Sequence, residues 1–132
     1  MDYQQLIKKA DEVKQNAYAP YSHFRVGAAL LTKSGKIYTG CNVENASYTP
    51  TICAESSAIV QAVSEGEQEY VAIAVISDSE DYTSPCGVCR QRIFEFGSDI
   101  EVIMANRDGE YKTYKISELL PEGFNKDSLL KG

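Results

Sequence analysis

Tyr70-Val71-Ala72-Ile73-Ala74-Val75-Ile76 is apolar at every position, so a strand built from it buries both of its faces. Such a strand sits inside a sheet covered by helices, and the neighbouring sequence supplies them. Ala54 to Val63 is apolar at 54, 58, 59, 62 and 63 and stops near Gly66, which predicts a buried helix. Further upstream, Val26 to Leu31 and Lys36 to Cys41 read as two strands joined around Ser34-Gly35, with Gly40 marking the far edge of the hairpin. Asp2 and Gln5 have capping-box spacing ahead of an apolar stripe of Leu6, Ala10, Val13 and Ala17, and Pro20 ends that first helix. Downstream, a helix running from Ser84 and Pro85 to Phe96 has a serine cap, a proline in its first turn and Gly97 as its stop. Glu101 to Ala105 and Tyr111 to Lys115 complete the set as two strands around Asp108-Gly109. Five strands with helices between them predict a layered α/β domain.

A chain of 132 residues, 43% of them hydrophobic, fills one core, so residues 1–132 are read as a single domain. The formal charge is -6 and the pI about 4.8, with lysines and arginines scattered along the chain. That balance excludes the basic footprint of a nucleic-acid binder and favours a small free substrate. No apolar run approaches the length of a membrane span, and the start Met-Asp-Tyr-Gln-Gln carries no secretory pattern, so a cytoplasmic protein is expected. In that compartment four cysteines point to metal binding or free thiols and not to disulfides.

The chemistry gathers at two helix starts. Cys53-Ala54-Glu55 heads one of them, and Pro85-Cys86-Gly87-Val88-Cys89 heads the other. Cys86 and Cys89 are three apart, so their sulfurs share a side of one turn. Alone, that pair is as consistent with buried or redox-active thiols as with a metal. Cys53 adds a third sulfur if the two helix starts meet, and three thiolates with a position left over suit a catalytic zinc better than a structural one. Residues two apart in a helix diverge by about 200°. Cys53 and Glu55 therefore serve one site only if Cys53 lies in an irregular first turn. Glu55 is then a proton carrier beside the metal, and otherwise a first-turn carboxylate favoured by the helix dipole.

The run Pro20-Tyr21-Ser22-His23-Phe24-Arg25-Val26-Gly27-Ala28-Ala29, followed by Gly40-Cys41-Asn42-Val43-Glu44-Asn45-Ala46, Cys53-Ala54-Glu55, Ser84-Pro85-Cys86-Gly87-Val88-Cys89-Arg90-Gln91 and Glu118-Leu119-Leu120-Pro121, resembles the short homotetrameric cytidine deaminases over nearly its whole length. The resemblance implies a three-layer cytidine-deaminase-like fold with a five-stranded mixed sheet flanked by helices. It implies one zinc ion per chain on Cys53, Cys86 and Cys89, with Glu55 moving the proton while zinc-bound hydroxide attacks carbon 4 of cytosine in cytidine or 2'-deoxycytidine. It further implies Phe24 against the base, Asn42 and Glu44 on a sugar hydroxyl, backbone groups of Ala46 near the sugar and the Ser84 carbonyl on the exocyclic amine. Phe124 matches an aromatic that a neighbouring subunit of a homotetramer places over the ring, and an apolar C-terminal anchor explains it equally well. The first metal position in the wider deaminase signature is His or Cys; here it is Cys53, which leaves His23 as a loop residue and Cys41 as an unliganded thiol.

One position departs from the family. Cytidine deaminases of this cysteine-rich class carry Arg directly after the catalytic Glu, near the zinc sulfurs, whereas this chain has Ser56. A serine hydroxyl can donate a hydrogen bond but carries no charge. Arg90 and Arg92 are the candidate replacements, and the sequence does not choose between them. Deaminases of blasticidin-type antibiotics share the cysteine pattern and also lack that arginine, but they match less well at Phe24 and at Asn42 to Ala46, so deamination of such an aminopyrimidine nucleoside is the alternative activity.

Overall fold

The computed structural model describes residues 2–130 of the chain. β3 (Tyr70–Ser77), the apolar strand, is the middle of a five-stranded mixed sheet. β1 (Val26–Thr32) lies antiparallel to it on one side, and β4 (Glu101–Ala105) lies parallel to it on the other. β2 (Ile37–Cys41) and β5 (Tyr111–Lys115) form the edges, each in antiparallel register with the neighbouring strand.

Side chains leave a strand to alternate faces, and the two faces build two cores. Ala28 and Leu30 of β1, Ile73 of β3 and Val102 of β4 pack on α2 (Ala54–Ser64) and α3 (Gly87–Phe94), with Ile116 of α4 (Ile116–Leu119) closing the layer. Ala29 and Leu31, with Ala72, Ala74 and Ile103, pack on Leu6, Ile7 and Ala10 of α1 (Tyr3–Lys14). The three layers are thus α1, the sheet, and the pair α2 and α3. The short α5 (Lys126–Leu130) buries none of its residues.

Two glycines set how closely the helices approach, through room and not through unusual backbone angles. A Cβ on Gly27 would stand 2.0 Å from the Ala10 carbonyl oxygen of α1, and one on Gly40 would stand 2.5 Å from the Ala58 nitrogen and 2.7 Å from the Ala54 oxygen of α2. Both contacts are far inside van der Waals range, so only glycine lets the sheet meet these helices at this depth.

The strands match the sequence reading to within a residue at each end, whereas one helix start and two helix ends differ: α3 begins at Gly87 and ends at Phe94, and α1 ends early. α1 stops at Lys14, well before Pro20, because Tyr18 is already paired with Val43 in a short parallel bridge. Its cap is Asp2 alone, whose carboxylate accepts from the Gln4 amide at 2.9 Å, in place of a reciprocal box with Gln5. Lys14 replaces Val13 and Ala17 as the last buried residue of the stripe. Its amine ion-pairs with Asp11 and with Asp78 at the end of β3, each at 2.9 Å. Burial alone lowers a lysine pKa, but hydrogen bonds to these two carboxylates outweigh it and hold Lys14 above the ordinary lysine value. α3 begins at Gly87, so neither Ser84 nor Pro85 belongs to it, and its N-cap is Cys86. The expected serine cap is replaced by a brace in which Arg90 donates to the Pro85 carbonyl at 2.9 Å and to Ser84 Oγ at 2.7 Å.

Candidate active site

Cys53 is the N-cap of α2 and Cys86 is the N-cap of α3, both with extended backbone, at φ -75° and ψ 155° for Cys53 and φ -69° and ψ 170° for Cys86. Neither cysteine is helical. Cys53 therefore escapes the 200° divergence that would have turned it away from Glu55, which stands inside the first turn of α2. The head of α2 meets the head of α3, and the ligand atoms of Cys53, Cys86 and Cys89 all lie within 4.8 Å of one another. Cys53 Sγ and Cys86 Sγ are 4.0 Å apart, too far for a disulfide. Four ligands at ~2.3 Å in a tetrahedron hold sulfurs about 3.8 Å apart, so the donor set fits zinc in both chemistry and spacing. Among the described residues, no fourth His, Cys, Asp or Glu joins that group.

Charge is held unequally in this cluster. Hydrogen bonding from Cys89 and then Cys86, with the positive charge of Arg92, brings the Cys53 thiol down to about 6 against the opposing effect of burial. Cys89, which is fully buried, is pushed upward by its hydrogen bond with Cys53, by burial and by the nearby Glu55 charge. Glu55 is 4% exposed, and burial, then the charge of Cys53, lifts its carboxyl to about 7. Cys41 lies at the end of β2 as a free thiol outside the sulfur group, and burial pushes its pKa up.

A cavity of about 200 Å³ opens beside the sulfurs, with Cys53, Cys86 and Glu55 on one side and Phe24, Asn42 and Ser84 around it. Val26, Thr51, Ile52 and Thr83 also line it; the sequence singled out none of them for the site, Val26 because it reads as the start of β1 and the other three because they carry no motif of their own. The loop bearing Phe24 is held by two of the candidate sugar contacts. Asn42, buried just past β2, accepts from the Val26 amide at 2.9 Å and donates to the Phe24 carbonyl at 2.8 Å. Glu44 accepts from the amides of Tyr21 and Ser22 at 3.0 and 3.1 Å and from the Ser22 hydroxyl, whose oxygen accepts from the Phe24 amide at 3.0 Å. These bonds, the Ser22 hydroxyl first, hold the Glu44 carboxyl below the ordinary glutamate value. Glu44 and Asn42 thus grip the same loop, and Glu44 is no free solvated carboxylate.

Glu44, Ala46, Phe124 and His23 lie outside this cavity. Ala46 lies in an exposed turn and Glu44 behind the Phe24 loop, so neither lines the cavity. Phe124 is exposed, outside the cavity of its own chain, on a C-terminal segment whose carbonyl at 124 accepts from Gln91 Nε2 at 2.6 Å. His23 is an exposed loop residue with φ 58° and no part in the sulfur group. The question left open at Ser56 is answered by geometry. Arg90 is spent on Pro85, Ser84 and the Leu119 carbonyl, whereas Arg92 Nη1 donates to Ser56 Oγ at 2.5 Å.

Comparison with known proteins places this geometry in context. Residues 1–105 match the family described as the cytidine and deoxycytidylate deaminase zinc-binding region. The chain is 45% identical over 130 residues to the cytidine deaminase of Sporosarcina psychrophila, covering 98% of this chain and 96% of that protein. It is 46% identical over 130 residues to the cytidine deaminase of Halalkalibacterium halodurans, covering 98% of each. Among solved structures, the cytidine deaminase from Burkholderia pseudomallei superposes with a TM-score of 0.90 at 43% identity, covering 94% of this chain and 100% of that one.

Proposed function

Given that the chain belongs to the cytidine and deoxycytidylate deaminase zinc-binding family, we propose that it hydrolyses cytidine and 2'-deoxycytidine to uridine and 2'-deoxyuridine with release of ammonia. The observation that carries this reading is the meeting of three sulfurs from two helix heads beside a buried carboxyl. Cys53, Cys86 and Cys89 would hold one zinc ion per chain, which would supply Lewis acidity and make a nearby water more acidic.

Glu55 does the proton work. Its carboxylate takes a proton from the water as the oxygen bonds to carbon 4, and returns it to ring nitrogen 3. The remaining water proton passes through the same carboxyl to the exocyclic amine, the bond from carbon 4 to that nitrogen breaks, and ammonia leaves. Burial raises the Glu55 carboxyl, which favours its taking up and handing on a proton. The free N–H groups at the starts of α2 and α3 favour negative charge on the sulfurs. Phe24 walls the base, the Ser84 carbonyl accepts from the exocyclic amine, and Asn42 binds a sugar hydroxyl from the cavity wall; Glu44 and the backbone of Ala46, which lie outside the cavity of the single chain, join that contact where the nucleoside extends beyond it.

The protein works as a homotetramer in the cytoplasm. A cavity of about 200 Å³ is small for a nucleoside, since ligand sites usually enclose about 300–1,000 Å³. Phe124, exposed and outside its own cavity, is suited to close the site of a neighbouring subunit. No helix among the described residues is long and apolar enough to cross a membrane.

Glu55→Gln tests the reading. Zinc content should stay at one per chain while conversion of cytidine to uridine falls by about 100-fold to 10,000-fold. Near-normal conversion by the variant would remove Glu55 from the reaction.

A further inference from the structure

We infer that Arg92, acting through the Ser56 hydroxyl, supplies positive charge to the Cys89 thiolate and is a positioning residue for metal retention. The inference rests on the zinc reading above and concerns the side of the sulfur cluster that faces away from the substrate cavity.

Three thiolates around one dication carry a net negative charge. That charge is stabilised by hydrogen-bond donors and cations close to the sulfurs. Arg92 follows Cys89 by three residues on α3, so the two share a helix face. Ser56 stands in the first turn of α2, which Cys53 caps from outside the helix. The meeting of the two helix heads brings Ser56 against both Cys89 and Arg92.

The contacts have that form. Ser56 is 3% exposed, and its Oγ lies 3.7 Å from Cys89 Sγ and 2.5 Å from Arg92 Nη1. Arginine has donors and no acceptor, so it must occupy a lone pair of the serine oxygen. The serine hydrogen is then free to point at the sulfur, and the guanidinium charge polarises that donor. Arg90 cannot serve in this way, because its donors are engaged by Pro85, Leu119 and Ser84. Among the described residues, Arg92 is the one guanidinium hydrogen-bonded to Ser56.

The test uses the full chain with zinc and with cobalt(II) as a spectroscopic substitute. Zinc affinity is measured by chelator competition at one neutral pH for the wild type, Arg92→Gln, Ser56→Ala and the double variant. Arg92→Gln and Ser56→Ala should each weaken zinc binding by about 10-fold to 100-fold, the range for groups behind metal ligands. The double variant should be little weaker than either single one, because both remove the same relay. In the cobalt-loaded protein, the thiolate-to-cobalt charge-transfer band should move to lower energy in both single variants, since a thiolate that loses its donor is a stronger electron donor.

Arg92→Gln with unchanged zinc affinity overturns the inference. So does weakened affinity with the cobalt band unmoved, which would mark a packing role, and so does full additivity in the double variant. A wild-type chain that takes up neither metal would instead overturn the zinc reading itself.

Discussion

Asn42 shows how one buried side chain can serve loop and site together. Its amide oxygen accepts from the Val26 amide and its nitrogen donates to the Phe24 carbonyl, and it borders the cavity. The oxygen keeps a second lone pair and the nitrogen a second hydrogen, enough for a sugar hydroxyl to use. Asn42→Asp keeps the acceptor but turns the donor into an oxygen facing a carbonyl. It should destabilise the fold by about 1–3 kcal/mol, read by urea titration, and raise the KM for cytidine. An unchanged midpoint would show that the amide does not hold the loop. The family resemblance implied Asn42 and Glu44 on one sugar hydroxyl; it could not show that both grip the Phe24 loop, because Ser22, which links Glu44 to Phe24, lies 22 residues from Glu44.

At the scale of elements, the site depends on where α2 is seated. Gly40 lets β2 lie against the backbone of Ala54 and Ala58, and the same helix is headed by Cys53 and Glu55. Gly40→Ala should destabilise the protein by about 1–3 kcal/mol or more through overpacking, and should also weaken zinc binding. Gly27→Ala presses on α1, which carries no site residue, so stability should fall with zinc affinity kept. Equal effects of both substitutions on zinc would separate the site from the seating of α2. α1 is itself tied to β3 and to Arg25 through Asp78. Hydrogen bonding from Arg25, and then from Lys14, holds the Asp78 carboxyl below its ordinary value. A carboxylate depressed in the folded state stabilises above its unfolded pKa and loses that contribution as pH falls through the folded value. Asp78→Asn should therefore cost about 1 kcal/mol at pH 7, reduced by the partial exposure of Asp78, and the difference should close below about pH 4 in melts of both proteins across pH.

For the whole molecule, the sulfurs join the starts of two helices on one face of the sheet, so metal and fold are coupled. Chelation should lower the melting temperature, with ~2.7 kcal/mol of stability lost relative to protein held at free zinc a hundredfold above its Kd. A melting temperature indifferent to chelation would mean that the helix heads stay together without an ion. The five strands and the two cysteine-bearing segments were legible from Tyr70 to Ile76, from the hairpin signals and from the spacing of Cys86 and Cys89, because periodicity and short spacings are local. The start of α3 was misread because Ser84 and Pro85 carry helix-start chemistry that their hydrogen bonds to Arg90 divert. By itself, the sequence determined the kinds of element, the identity of the three sulfurs and the carboxyl next to them. Only the tertiary structure decided that Cys53 leaves the helical path, that burial lifts Glu55, and that Arg92 and not Arg90 reaches Ser56. Those outcomes depend on which groups are brought within a few ångströms across 33 or more residues of chain, and short-range pattern carries no record of that distance.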